Sequence, residues 1–304
     1  MPRVLPVIAP MAEALWHGYD QVQLDDQYKA SGTRIPNPDE YLDRWRADSL
    51  ALRQNSECQL NVRFGNHPEE HYDVFRADAP RGPVHIFIHG GYWYSMSSKE
   101  FSFVARGLNP AGFTVVVLNY ALCPSVGMTE LVRQVKTGIA HVHANAADWG
   151  ADPDRLTISG HSAGGHLVAT ALTTDWPSFA PGRPADMVKA GLSLSGLYDL
   201  EPVRLCYVNA HLRMDQAEAQ ALSPAKNLRH AGCALTVAVG GRESEQFHWH
   251  QEHFSAVWGR RTGMPPRVID LPGHHHFSLL DELADPQGVL AREAARQAGL
   301  ELPR

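Results

Sequence analysis

Long apolar runs are missing from this chain. No stretch approaches the roughly 18 uninterrupted apolar residues that a bilayer-spanning helix needs, so no membrane partner is expected. Basic patches are missing too. With 27 Lys and Arg against 33 Asp and Glu, the net charge is −6, which argues against nucleic acid as a partner. Cysteine is sparse: Cys58, Cys123, Cys206 and Cys233 are scattered without Cys-x-x-Cys spacing. That excludes a disulfide framework and a thiolate zinc site, and it suits reduced thiols in a cytoplasm. Histidine is plentiful at 17 residues, but there is no His-Glu-x-x-His. His274-His275-His276 and His248-x-His250-x-x-His253 match no zinc spacing, and adjacent histidines cannot all aim at one ion without distortion. No metal or other cofactor is expected. The N-terminal Val4-Leu5-Pro6-Val7-Ile8-Ala9-Pro10 is short, broken by prolines and preceded by no charge beyond Arg3, so a signal peptide is not expected.

What is present is a chain of 304 residues, 44 % apolar, with a serine motif at its centre. This size suits one large α/β domain with a sizeable core. Residues 155–159 read as a buried strand and residues 165–172 as a helix. Between them stands Gly160-His161-Ser162-Ala163-Gly164. A serine at a tight strand-to-helix turn is held in a strained conformation with its hydroxyl exposed. Glycines on either side let helix and strand approach closely. Upstream, the apolar residues 84–88 end in His89-Gly90-Gly91-Tyr92-Trp93. A His-Gly-Gly loop after a strand can offer backbone N–H groups to a developing oxyanion, with the N–H of Ala163 as a third donor.

Periodicity organises the rest. Residues 11–55 look helical, with Leu42, Trp45, Ser49 and Leu52 on one face and a helix start at Pro38, Asp39 and Glu40; the segment is expected to cap the sheet's upper edge. Residues 59–64 and 71–75 alternate as half-buried antiparallel strands do. Residues 113–118 are continuously apolar, as in a strand buried on both faces. Further strands are expected at 190–194, 234–239 and 267–271, and helices near 98–108, 128–148, 244–258 and 284–298. Residues 201–228 read as short helices and loops, a lid. His141 and His143 are expected on a helix surface. The alternation implies a mostly parallel sheet with helices on both faces in a single domain spanning residues 1–304.

A nucleophilic serine needs a base, and the base needs an orienting carboxylate. These groups are expected at the carboxyl ends of later strands. After the last strand come His274, His275 and His276; after the one before it, Glu243 and Glu245. Asp199, after the preceding strand, is a third candidate acid.

With these residues assembled, the chain resembles the kynurenine formamidase (arylformamidase) branch of the hormone-sensitive-lipase-like α/β-hydrolases. The likeness runs through Leu24-Asp25-Asp26-Gln27-Tyr28, His89-Gly90-Gly91-Tyr92-Trp93, and Gly160 to Leu167. It continues through Ser195-Gly196-Leu197-Tyr198-Asp199-Leu200-Glu201-Pro202, Leu222-Ser223-Pro224 and His276-Phe277. The resemblance implies an α/β-hydrolase fold with an N-terminal helical cap. It implies Ser162 as nucleophile, His276 as base, and Gly90, Gly91 and Ala163 as oxyanion donors. The family's acid stands in Asp-Ser-x-Glu-Phe; here Glu243-Ser244-Glu245-Gln246-Phe247 puts Glu243 in the aspartate's place, a departure. The implied substrate is a small aromatic amide such as N-formylkynurenine, or an aryl ester; Tyr92, Trp93, Tyr94 and Tyr198 are expected near the site, either as contacts to an aromatic substrate or as packing. The rivals are a carboxylesterase or general aryl amidase, and a non-catalytic binding protein on a hydrolase scaffold. The sequence leaves a homodimer open.

Overall fold

The computed structural model describes residues 14–29, 34–228 and 232–300. The apolar stretch at residues 4–10, and the beginning of the helical segment expected from residue 11, lie outside the described residues.

Eight strands form one sheet: β1 Cys58–Arg63, β2 His71–Phe75, β3 Gly82–Ile88, β4 Thr114–Leu118, β5 Ala151–His161, β6 Ala190–Leu194, β7 Ala234–Gly240 and β8 Arg267–Leu271. Their spatial order is β1-β2-β4-β3-β5-β6-β7-β8. β1 and β2 run antiparallel at one edge; from β4 to β8 all neighbours are parallel. The longer helices are α1 Gln21–Gln27, α2 Pro38–Asn55, α3 Met128–Asn145, α4 Ala163–Leu172, α5 Glu245–Thr262 and α6 Val289–Gln297.

Strand alternation decides which helices cover which face. Ile86, Ile88, Val116, Leu118, Leu156, Ile158 and Val237 share one core with side chains of α3, α4 and α5. Phe87, Val115, Val117, Leu192, Leu194 and Ala238 share another with α2, residues 101–108 and α6. Both faces of β3 and β4 are therefore buried, which is why their sequences are almost wholly apolar; His85 of β3 is tolerated there because it bonds Thr157 and Ser159 of β5 at 2.8 and 2.6 Å. Among the described residues no helix is long and apolar enough to cross a membrane.

Two helices differ from expectation. Residues 98–108 form separate turns, Ser98–Glu100, Ser102–Val104 and Ala105–Leu108. Phe101 and Phe103 both pack on Trp45 of α2, and two residues spaced i, i+2 cannot share one helical face. The closing helix starts at Val289, behind a separate turn Asp281–Ala284. Pro286 forces the residue before it out of helical geometry, and Asp285 is extended at φ −93° and ψ 123°. His141 and His143 are half-buried, and His141 bonds the Tyr72 hydroxyl at 2.8 Å.

The N-terminal segment and residues 201–228 meet above the carboxyl ends of the strands. The Tyr207 N–H donates to Asp25 at 2.7 Å, and the Gln21 side chain donates to the Leu205 carbonyl at 3.0 Å. Trp45 reaches from α2 to Phe277, their rings 5.0 Å apart, beside the His276 loop.

Candidate active site

β5 ends at His161 and α4 begins at Ala163, so Ser162 occupies the junction with φ 58° and ψ −116°. A non-glycine residue there is strained and must be held by its surroundings. The Ser162 N–H donates to the Leu194 carbonyl at 2.8 Å, and the turn is closed sterically. A Cβ on Gly164 would lie 2.0 Å from the Ile88 carbonyl oxygen, so no larger residue allows α4 to sit this close to β3. The N-terminus of α4 therefore points past Ser162, where its free N–H groups and dipole favour negative charge.

The loop after β3 is a tight turn. Gly91 has φ +110°, and its carbonyl accepts from Tyr94 N–H at 3.1 Å and Ser95 N–H at 3.0 Å. The His89 ring lies beneath it, stacked on Tyr120 with centroids 4.2 Å apart. Burial pushes the His89 imidazole down to about 4, so it is neutral at physiological pH. Its Nδ1–H donates to the Gly90 carbonyl at 2.8 Å. In a trans peptide the next N–H points the opposite way, so this bond directs the Gly91 N–H away from His89. Gly90, Gly91, His161, Ser162 and His276 line a common cavity of about 780 Å³, part of it open to solvent.

The Glu243 carboxylate and His276 are joined directly. His276 Nδ1 lies 2.6 Å from Glu243 Oε2, and both side chains are almost wholly buried. Glu243 Oε1 accepts from Ser195 Oγ–H at 2.6 Å and from Gly240 N–H at 2.7 Å. A carboxylate only accepts, so His276 carries its proton on Nδ1 and leaves Nε2 as an acceptor. The His161 Nε2–H donates to the His276 carbonyl at 2.7 Å, fastening the loop. Burial, helped by the neighbouring His276, holds the His161 imidazole well below its usual range, so the His161 ring is neutral beside the pair. Ser162 and His276 share the cavity without a direct hydrogen bond between their side chains, a contact that commonly tightens only with substrate.

The other candidates are committed elsewhere. His274 Nδ1–H donates to the Ser278 carbonyl at 3.1 Å, and its Nε2 is 3.3 Å from Glu282. His275 Nδ1 accepts from the Phe277 and Ser278 N–H groups, which leaves its Nε2–H for the Tyr41 hydroxyl at 3.1 Å. Glu245 is exposed in the first turn of α5 and accepts from the Tyr19 hydroxyl. Asp199 pairs with Lys226 at 2.8 Å.

Two of the expected substrate contacts require correction. Trp93 is fully buried with its ring edge-to-face on His166, 5.2 Å away. Its own left-handed backbone, φ 60°, turns the indole into the core beneath the loop. Tyr198 is buried on Phe254 with centroids 4.2 Å apart, and its hydroxyl meets Ser193 Oγ at 2.7 Å. The aromatic wall comes instead from Tyr92, Tyr94, Trp45, Phe101, Tyr207 and Phe277. Sequence reasoning also missed the roles of Ser195 and His161 beside the Glu243–His276 pair, although both stand inside motifs it had singled out. Tyr207 and Lys29, the latter a cation at the cavity wall, come from distant segments and carry no local signal.

The BD-FAE family model matches residues 73–225, just over half of the chain. The chain is 28 % identical over 297 residues to a kynurenine formamidase of Danio rerio, covering 93 % of this chain and 98 % of the relative. It is 29 % identical to the esterase LipC of Mycobacterium tuberculosis, covering 81 % of this chain and 68 % of that one. Among solved structures, a candidate thioesterase from Silicibacter sp. TM1040 superposes with TM-score 0.78 at 30 % identity, covering 88 % of this chain and 97 % of the other.

Proposed function

The chain belongs to the BD-FAE family and is a hydrolase of α/β-hydrolase fold, and from that premise we propose that it cleaves aryl amides, above all aryl formamides such as N-formylkynurenine, through an acyl-enzyme. The observation that carries the reading is the Glu243–His276 pair opening onto the same cavity as Ser162. In this reading Ser162 Oγ attacks the carbonyl carbon while His276 Nε2 takes its proton. The N–H groups of Gly90, Gly91 and Ala163 stabilise the oxyanion. His276 returns the proton to the leaving amine, and the acyl group stays on Ser162. Water, deprotonated by His276, then attacks that ester; formate leaves and Ser162 regains its proton. Glu243 holds the ring and stabilises the imidazolium. The N-terminal segment serves as cap and residues 201–228 as lid of one hydrolase domain, supported by the Tyr207 hydroxyl donating to the Tyr28 carbonyl at 3.2 Å.

Acyl size tests the substrate class. Tyr92 follows Gly90 and Gly91 directly, and its hydroxyl is tied to the Tyr28 carbonyl at 2.6 Å, so its ring cannot easily swing aside. A formyl hydrogen fits beside such a ring where a methyl crowds it. An aryl formamide is expected to exceed the matching acetamide in kcat/KM by roughly 10- to 200-fold, the range that sterics of one carbon deliver. The comparison is made after dividing by each amide's hydroxide-catalysed rate, because the formyl carbonyl is intrinsically more electrophilic. Equal normalised values, or faster reaction of the acetamide, would replace the formamidase with a general aryl amidase or esterase, the activity carried by the name of the LipC relative.

The acid is tested by a pair of neutral isosteres. Glu243→Gln places an amide among three donors and favours the wrong imidazole tautomer, so kcat is expected to fall by about 10⁴-fold. Glu245→Gln, whose partner is Tyr19 on the surface, is expected to retain most activity. The opposite ranking in steady-state kinetics would take the role from Glu243.

A further inference from the structure

The cavity is walled mainly by aromatic rings and backbone, yet among the described residues one lysine without an ionic partner lines it. Lys29 lines the main cavity and also a narrower pocket beside it; Tyr92 and His276 belong to both. The other four lysines are engaged: Lys99 with Asp73, Lys189 with Asp186, Lys226 with Asp199, and Lys136 over the Phe179 ring. Arg34, which also lines the narrower pocket, is held by Asp26 at 2.8 Å. Among the described residues the Lys29 ammonium has no such partner.

The backbone that carries Lys29 is anchored. The carbonyl of the Tyr28–Lys29 peptide accepts the Tyr92 hydroxyl at 2.6 Å and the Tyr207 hydroxyl at 3.2 Å. The Tyr28 ring is buried and its hydroxyl meets His250 Nε2 at 3.0 Å. A loop residue that merely solubilised the surface would not need clamping from the glycine loop and the 201–228 segment at once. The net charge of −6 also disfavours approach of an anion, so a local cation beside the cavity has a function to supply.

We propose that Lys29 is a specificity-determining residue that binds a carboxylate on the part of the substrate remote from the acyl group. The proposal rests on reading the cavity as the site of acyl hydrolysis. One compact ammonium suits a monoanion, whereas a phosphate commonly engages several donors or a backbone nest. A contact far from the reacting carbon is the same in ground and transition states, so it lowers KM and leaves kcat alone.

The test uses two aryl formamides that differ only in a side-chain carboxylate against the matching carboxamide. For the wild-type enzyme KM is expected to be about five- to ten-fold lower for the carboxylate, the span between an exposed ion pair and a charge-assisted hydrogen bond. Added salt should shrink that ratio, because Lys29 is exposed. Lys29→Met should bring the ratio near one, Lys29→Glu should invert it, and Lys189→Met should keep the wild-type ratio. A wild-type ratio of one, or a ratio that survives Lys29→Met, overturns the proposal. If the formamide preference itself fails, the same charged and neutral pair built on aryl acetates still reads Lys29, so the two failures are separable.

Discussion

Ser162→Ala is expected to lower kcat by about a million-fold, the loss that follows when the nucleophile of a triad is removed, as the proposed mechanism has it, and to leave the protein folded. The other serine lining the cavity, Ser95, has its hydroxyl committed to the Gly91 carbonyl at 2.9 Å. The fold survives because the strain at φ 58° belongs to the backbone, and alanine bears it about as serine does. The bond from the residue 162 N–H to the Leu194 carbonyl is also kept. Turnover of an aryl ester, circular dichroism and labelling by a fluorophosphonate check this together. A variant that folds, fails to label and still turns over substrate would end the serine mechanism.

His276→Ala is expected to be comparably damaging. In the proposed mechanism the Nε2 left free by the Glu243 bond accepts the serine proton and later returns it to the leaving group, so the substitution would remove both the base and the acid of the reaction. Some stability goes as well, since a buried carboxylate loses one of its three donors while Ser195 and Gly240 remain. The neighbours serve as controls. His274→Ala and His275→Ala are expected to keep most activity, because their rings bond Ser278, Glu282 and Tyr41 rather than Glu243. His275→Ala should lower the melting temperature slightly, as its Nδ1 accepts two backbone N–H groups of the loop. A dead His275→Ala beside an active His276→Ala would reverse the assignment.

The local architecture was legible because its causes are local. An apolar run such as Val115-Val116-Val117 states that both faces of its strand are covered, wherever the covering helices come from. Glycines at 160 and 164 bracket a serine because no other residue lets β5, α4 and β3 touch, a constraint written within five positions. The same locality explains the misses. Continuous helices expected at 98–108 and 284–298 were broken, the first by the demand of Trp45 for two phenylalanine rings spaced i, i+2, the second by Pro286.

By itself the sequence determined the order of strands and helices, the strained serine turn and the glycine loop, since each follows from backbone sterics and side-chain periodicity over a few residues. Local pattern left open which histidine meets which carboxylate, because three adjacent histidines differ in nothing but where their loop turns them; the family resemblance pointed to His276 and Glu243, and the tertiary structure shows the contact. There a 2.6 Å contact pairs His276 with Glu243, while Tyr41 and Glu282 take the other two. Only the tertiary structure decided that Trp93 and Tyr198 go to the core while Tyr207 and Lys29 line the cavity. That choice depends on the turn of a left-handed backbone and on segments far apart in the chain meeting over one site, neither of which any local pattern records.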